Sequence, residues 1–144
     1  MSYSLDVNIL LYASDRSSSR HQKALRFLEA RAADPDLLCL AWPTLLSYLR
    51  IATHPRIFAQ PLSPSEALAN IESLTGLSRT HVICEEENFL SVYREVTRGF
   101  TARGNLVPDA HLAALLRQHD IRTLYTTDAD FRKFEFLDIR NPFA

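Results

Sequence analysis

Short apolar runs alternate with segments of helical spacing along the 144 residues of this chain. The runs predict buried strands at Tyr3–Leu5, Leu37–Ala41, His81–Cys84, Arg122–Thr126 and Leu137–Arg140. The segments between them predict helices over Val7–Ala13, His21–Ala33, Thr44–Thr53, Pro64 towards Gly76, Glu85–Phe100 and Pro108–Leu116. This alternation predicts an α/β fold, a three-layer α/β/α sandwich around a mostly parallel sheet of about five strands. The length suits one domain over residues 1–144.

Candidate chemistry lies at three aspartates, each placed where an apolar run gives way to a helix start. Asp6 and Asp128 come just past the first and fourth strands, and Asp109 opens a helix. Parallel sheets bind ligands beyond the carboxyl ends of their strands, where the strand order reverses. If the three carboxylates meet there, they repel each other, and a hard divalent cation would offset the repulsion. The pattern therefore predicts a metal-dependent enzyme.

Each aspartate also has a structural interpretation. Asp109 stands in a first helical turn, where a carboxylate stabilises any helix, and Asp128 could cap the turn that begins at Ala129. Asp6 is harder to explain in this way, because it interrupts a long apolar stretch and an unpaired buried carboxylate destabilises a fold. Its burial requires a cation, several N–H donors or an arginine.

The composition narrows the functional classes. With a net charge of −1, the surface as a whole does not indicate nucleic-acid binding, so such binding needs a local cluster. All 16 basic residues except Lys23 and Lys133 are arginines, whose planar fork grips phosphate, although a GC-rich genome would also favour arginine. With 3 glycines, the chain has no GxGxxG, GxxxxGK or GxSxG motif, which argues against nucleotide cradles and serine hydrolases.

The chain also predicts a cellular location. No apolar run approaches the roughly 20 residues of a membrane span, and the N-terminus lacks the basic start of a signal peptide. Cys39 and Cys84 fall in strand-like segments, which predicts buried free thiols, and their spacing gives no zinc signature. We therefore expect a cytoplasmic protein without membrane contact.

Cations near the predicted site are candidates for substrate binding. Arg50 and Arg56 stand on and after the helix that follows the second strand, and Arg103 follows the long helix of the second half. For any single one of them, a solvated helix face is the stronger expectation. Trp42 could stack on a base, although core packing is the stronger expectation. His111, two residues after the helix-opening aspartate, is expected on a different helix face, and no histidines form a metal-ligand pair.

Several strings, in order along the chain, resemble the PIN-domain family: LDVNILLYA, NLVPDAHLAAL and TTDADF before an apolar strand. The similarity is greatest to the VapC-type ribonuclease toxins of bacterial toxin–antitoxin pairs. The central strings WPTLLSYLRIATHPRIF and PLSPSEAL resemble one large subgroup of those toxins. The resemblance covers nearly the whole chain, and the ordered set of strings is specific although the first is weak alone.

The resemblance implies roles for single residues. Three of them resemble the metal ligands and catalytic acids of the family, and these are Asp6, Asp109 and Asp128. Three others resemble residues that support those ligands, and these are Asn8, Thr127 and Asp130. One position departs from the pattern, because many PIN domains carry a glutamate where this chain has Ser47. With three principal acids rather than four, we expect one firmly held Mg²⁺ or Mn²⁺.

The implied activity is metal-assisted hydrolysis of RNA phosphodiester bonds, by a toxin that pairs with a small antitoxin protein and commonly forms a homodimer. Two other classes stay open. The missing fourth acid favours a PIN-like module that binds RNA or protein without cutting it. An aspartyl-nucleophile phosphatase would also carry an aspartate after its first strand, but it needs a second acid at Asn8 and an active-site lysine.

Overall fold

The computed structural model describes all residues, Met1–Ala144. Its centre is a sheet of five strands: β1 (Ser2–Leu5), β2 (Leu37–Ala41), β3 (Thr80–Ile83), β4 (Thr123–Tyr125) and β5 (Asp138–Arg140). The spatial order is β3-β2-β1-β4-β5, and every neighbouring pair is parallel. The prediction of a parallel, five-stranded sheet is therefore confirmed.

Helices cover both faces of this sheet. They are α1 (Val7–Ser14), α2 (His21–Glu29), α3 (Trp42–Ala52), α4 (Pro64–Thr75), α5 (Phe89–Val96) and α6 (Leu106–Gln118), with short 3-10 helices at Ala30–Ala33 and Ala129–Lys133. One hydrophobic cluster joins the sheet to α1, α3 and α4, and a second joins it to α5 and α6. The predicted three-layer sandwich is confirmed.

Strand β2 explains why helices are needed on both sides. Leu38 and Leu40 belong to the cluster with α1 and α3, whereas Cys39 and Ala41 belong to the cluster with α6. Because side chains alternate between the two faces of a strand, a continuous apolar run can be buried only when both faces are covered.

The strand order reverses between β1 and β4. Leu5 pairs with Tyr125 in register, and the N–H of Asp6 donates to the Tyr125 carbonyl at 3.0 Å. The two strands therefore end at the same level, and the residues that follow them meet at one edge of the sheet. This is the switch point at which parallel sheets bind ligands.

The segment after β3 differs from the prediction. Residues 85–87 do not begin a helix but form a loop, and α5 begins only at Phe89. Asn88 has a left-handed backbone with φ 65°, a conformation that cannot belong to a right-handed helix. The acid expected to face the helix dipole, Glu85, instead hydrogen-bonds His111 of α6.

Two side chains are more exposed than expected. Cys39 is a buried free thiol, but Cys84 is exposed, so half of that prediction is wrong. Trp42, expected in the core, is 47% exposed at the first position of α3. Both residues directly follow the last residue of a strand, where the chain leaves the sheet and its side chains leave the core. No helix combines the length and the hydropathy that crossing a bilayer requires.

Candidate metal centre

Asp6 joins β1 to α1 and is 8% exposed. As the N-cap of α1, it accepts a hydrogen bond at Oδ1 from the Val7 N–H at 2.8 Å. The Thr126 hydroxyl donates to its Oδ2 at 2.8 Å. Burial nevertheless raises the pKa of Asp6, these two donors oppose the rise, and the charge of Asp128 adds to it. Two uncharged donors thus fix the position of the Asp6 carboxylate without removing its negative charge.

Thr126, Thr127 and Asn8 connect the ends of β1 and β4. The Thr126 hydroxyl is buried and also accepts the N–H of Asp128 at 3.0 Å. The Asn8 amide donates from Nδ2 to the Thr127 hydroxyl at 2.9 Å, which ties α1 to the loop after β4. The Oδ1 of Asn8 is buried and has no hydrogen-bond partner. Two threonines and one amide therefore set the spacing between Asp6 and Asp128.

A carboxylate cluster lies beside Asp6. Carboxylate oxygens of Asp109, Asp128 and Asp130 lie within 4.8 Å of one another. Asp109 comes from the first turn of α6, and Asp128 caps the 3-10 helix after β4 by accepting the Asp130 N–H at 2.9 Å. The carboxylate of Asp130 is therefore part of the cluster. The resemblance implied a position behind the metal ligands instead.

The acids act on each other electrostatically. The pKa of Asp109 rises from 3.8 to about 6, first because the group is partly buried and then because of the charges of Asp128, Asp6 and Asp130, in that order. The charges of three neighbouring carboxylates thus add to the effect of burial on Asp109. Of the three predicted aspartates, Asp109 and Asp128 belong to the close group, whereas Asp6 is outside it but near enough for its charge to raise the pKa of Asp109.

No arginine or lysine compensates this cluster, because the six ion pairs of the structure involve other acids. An all-oxygen set of carboxylates is the donor set that hard divalent cations such as Mg²⁺ and Mn²⁺ prefer. A cation would offset the carboxylate repulsion that, after burial, raises the pKa of Asp109. The residues present therefore fit a divalent ion.

A groove of about 480 Å³ lies between α3 and the start of α6, and of the three clustered aspartates only Asp109 lines it. Asp6 and Asp109 belong to its lining, as do Ser47 and Arg50 of α3. Ser47 occupies the position at which many PIN domains carry glutamate, so an acid there would border the same groove. The lining contains no lysine, so the groove lacks the active-site lysine that an aspartyl-nucleophile phosphatase needs.

The other predicted cations lie elsewhere. Arg56 is exposed in the turn after α3, and Arg103 is exposed in the loop before α6, and neither belongs to the groove lining. His111 also borders the groove, but its ring pairs with Glu85 of the loop after β3. The groove follows the first turns of α6, and residues two positions apart can both border it.

Thr126 is the functional candidate that sequence reasoning missed. The resemblance drew attention to Thr127, but the hydroxyl that contacts Asp6 belongs to Thr126. Strand alternation could have separated the two residues, because Leu124 is buried and the residue two positions later faces the same side.

The geometry can be compared with known proteins. The PIN domain family matches residues 3–137. The chain belongs to the PIN-domain family. The match runs from Tyr3 in β1 to Leu137, the residue before β5, and it therefore includes Asp6 and the three aspartates of the cluster.

Among curated proteins, this PIN domain is similar to VapC ribonucleases. Ribonuclease VapC48 of Mycobacterium tuberculosis is 46% identical over 144 residues, which cover 100% of this chain and 99% of that protein. Ribonuclease VapC37 of the same organism is 30% identical over 131 residues, which cover 91% and 90% of the two chains. The resemblance to VapC-type proteins is confirmed.

Solved structures share the fold of this PIN domain at low identity. Mycobacterium tuberculosis VapC20, described as a sarcin-ricin loop cleaving toxin, superposes with a TM-score of 0.69 at 17% identity, covering 96% of this chain and 99% of that one. VapBC2 from Rickettsia felis, bound to a DNA fragment from their promoter, superposes with a TM-score of 0.68 at 18% identity, covering 98% of each. These similarities establish the fold alone.

Proposed function

We propose that this PIN domain is a divalent-metal-dependent endoribonuclease and the toxin of a toxin–antitoxin pair. The observation that carries the proposal is the uncompensated acid cluster at the switch point of the sheet. Its relatives at 46% and 30% identity are named ribonucleases, which supports RNA as the substrate. Mg²⁺ is the proposed ion, and Mn²⁺ has the same preference for carboxylate oxygens.

In the proposed centre, Asp6, Asp109 and Asp128 hold the ion through carboxylate oxygens. When bound, the ion supplies a Lewis acid for a phosphate oxygen and lowers the pKa of a coordinated water. The hydrogen bond from Thr126 fixes the Oδ2 of Asp6, so that this oxygen does not rotate away. The Asp130 N–H fixes the Oδ1 of Asp128 in the same way. Asn8 and Thr127 keep the two strand ends at a constant distance.

The groove between α3 and α6 is the proposed path of the RNA. An acidic floor alone repels a polyanion, so the walls must supply attraction. Arg50 lines the groove and can grip a phosphate with two parallel hydrogen bonds. Arg56 and Arg103 lie outside the lining and would reach phosphates further along the strand.

The proposed protein partner is a small antitoxin. VapBC2 from Rickettsia felis and VapBC-1 from nontypeable Haemophilus influenzae are among the proteins of similar fold, which supports pairing of this chain with a second protein. A homodimer is also proposed. Sedimentation of the chain alone, and then together with the product of a neighbouring gene, measures both associations.

Two neutralising substitutions test the activity. Asp6→Asn and Asp109→Asn should each lower Mg²⁺-dependent cleavage of RNA by at least about 100-fold, since each removes charge that the centre needs. Asp120→Asn makes the same chemical change at an exposed residue outside the groove and should leave cleavage unchanged. Circular dichroism and thermal unfolding verify that the variants keep the fold.

Two results would contradict the proposal. Normal turnover by both Asp6→Asn and Asp109→Asn would contradict the proposed metal centre. If the wild-type protein bound RNA but did not cleave it at any Mg²⁺ or Mn²⁺ concentration, a binding module would be supported instead. Ser47, which stands where many PIN domains have an acid, favours that alternative.

A further inference from the structure

Three large apolar side chains are exposed, two of them in the groove and one next to a residue that lines it. Trp42 is 47% exposed, Leu46 is 58% exposed and Val107 is 41% exposed. Leu46 and Val107 line the groove from opposite sides, and Trp42 directly precedes Pro43, which also lines it. Exposed apolar side chains that adjoin one another indicate a binding surface, whereas isolated ones need no explanation.

The wall formed by α3 has an ordered chemistry. Trp42, Leu46 and Arg50 are each four residues apart, so they lie one above the other on one face of the helix. All three are exposed, while the opposite face buries Leu45 and Tyr48 in the core. An aromatic ring, an aliphatic side chain and a guanidinium therefore follow one another along this face of α3, and the last two line the groove.

A nucleic-acid strand matches this order. If a scissile phosphate lies at Asp6 and Asp109, the neighbouring nucleotides must lie along the walls of the groove. Each nucleotide offers a flat base and a charged phosphate, and the α3 face offers a ring for stacking and a cation. A stable protein interface buries about 20–30 residues on each side, far more than this small apolar rim provides.

We propose that Trp42 stacks on a base of single-stranded RNA next to the cleaved bond, while Arg50 binds the phosphate of the same strand. The inference rests on the proposed function and adds to it the state of the substrate. Stacking on a side chain requires an unpaired base, so the surface selects unpaired RNA over duplex. Because every base has a stacking face, Trp42 selects single strands rather than a sequence.

The first test uses the fact that the chain contains one tryptophan, so intrinsic indole fluorescence reports on Trp42 alone. A single-stranded RNA of mixed sequence and a duplex of equal length are titrated into the Asp109→Asn protein with EDTA present, so that nothing is cut. Saturable quenching by the single strand, and much weaker quenching by the duplex, is the expected result. Equal quenching by both, or none by either, would overturn the inference.

The second test measures kinetics on a short single-stranded RNA. Trp42→Leu should raise KM roughly tenfold and change kcat less than about twofold, whereas Trp42→Phe, which keeps a ring, should recover most of the loss. Leu68→Ala removes an equally exposed apolar side chain from α4, outside the groove, and should change neither constant.

The outcomes separate this inference from the proposed function. Cleavage by the wild type with an unchanged KM in Trp42→Leu would reject the stacking role and keep the nuclease. Single-strand quenching without cleavage would reject the nuclease and keep the RNA surface. If Trp42→Leu turned a dimer into a monomer in sedimentation and left KM unchanged, the rim would be a protein interface and the inference wrong.

Discussion

Two groups of acids lie at the same edge of the sheet and have opposite surroundings. Beyond β3, Glu85 hydrogen-bonds His111 of α6, and the carboxylate of Glu86 lies 3.7 Å from the ring of His119, the residue after the same helix. The pKa of Glu85 is lowered, chiefly by its hydrogen bond with His111. These acids follow the usual rule that a carboxylate near other elements finds a partner.

Beyond β1 and β4, the acids have each other. Asp6 and Asp128 follow the two strands, Asp109 joins them from α6, and no cationic side chain pairs with any of the three. The pKa of Asp6 and the pKa of Asp109 are both raised. The fold therefore gives the acids after β3 a hydrogen-bonding partner, whereas the acids after β1 and β4 are partly buried and repel one another.

The largest expected effect comes from the hydroxyl that orients Asp6. Thr126→Val keeps the shape but removes the donor to Oδ2 of Asp6 and the acceptor for the Asp128 N–H. We expect the affinity for Mn²⁺ to fall roughly 10- to 100-fold, as for other groups that orient metal ligands. Isothermal titration calorimetry measures the change.

The matched control for Thr126→Val is Thr75→Val, because the Thr75 hydroxyl donates only to carbonyls of its own helix, α4. That variant should bind Mn²⁺ as the wild type does. Equal affinity in Thr126→Val and the wild type would mean that the ion does not depend on the position of Asp6.

A smaller effect concerns stability without metal. The raised pKa of Asp109 means that its ionisation opposes folding. The metal-free protein should therefore lose stability as the pH rises from about 4 to about 6, and keep the lower value above that. Asp109→Asn should stabilise the metal-free fold near neutral pH by about 1 kcal/mol, since solvent screens this half-buried group. Urea unfolding in EDTA on both sides of this pH range measures it.

The raised pKa of Asp109 also predicts that metal binding depends on pH. Below about pH 6 a proton competes with the ion for Asp109, so the affinity for Mn²⁺ should rise through that pH and then level off.

The stability prediction has its own contradicting outcome. If Asp109→Asn destabilised the metal-free protein at neutral pH, the acids would not repel each other as inferred.

The smallest effect belongs to the paired acids. Glu85→Gln should destabilise the fold by less than about 0.5 kcal/mol, because the pair is exposed to solvent. The pKa of Glu85 is lowered, so its contribution should be present above the ordinary pKa of 4.5 and vanish as the pH falls through the lowered value. Thermal unfolding at several pH values gives opposite signs for Glu85→Gln and Asp109→Asn if the comparison holds.

Most of the fold could be predicted, because strands and helices are local patterns. The apolar run at Leu37–Ala41 and the capping box at Ser63 identify their elements without tertiary information. The error at Glu85–Glu87 has a tertiary cause. A favourable place at a helix start contributes less than a hydrogen bond to His111, and that histidine is 26 residues away along the chain.

The site was predicted in part. The positions of Asp6 and Asp128 followed from strand ends, and Asp109 was inferred from its place at a helix start. Two features were not predicted, the hydroxyl of Thr126 as a contact of Asp6 and the exposure of the Trp42 ring. Each depends on which side of a strand end a residue faces.

The sequence by itself determined the order of strands and helices, the apolar runs that require helices on both faces, and the presence of acids after β1 and β4. These follow from short-range periodicity and from where polar residues interrupt it. Only the tertiary structure decided which acids acquire partners and which repel, because carboxylates more than a hundred residues apart, such as Asp6 and Asp109, interact through space. Charge interactions depend on distance and burial, and neither is a property of spacing along the chain.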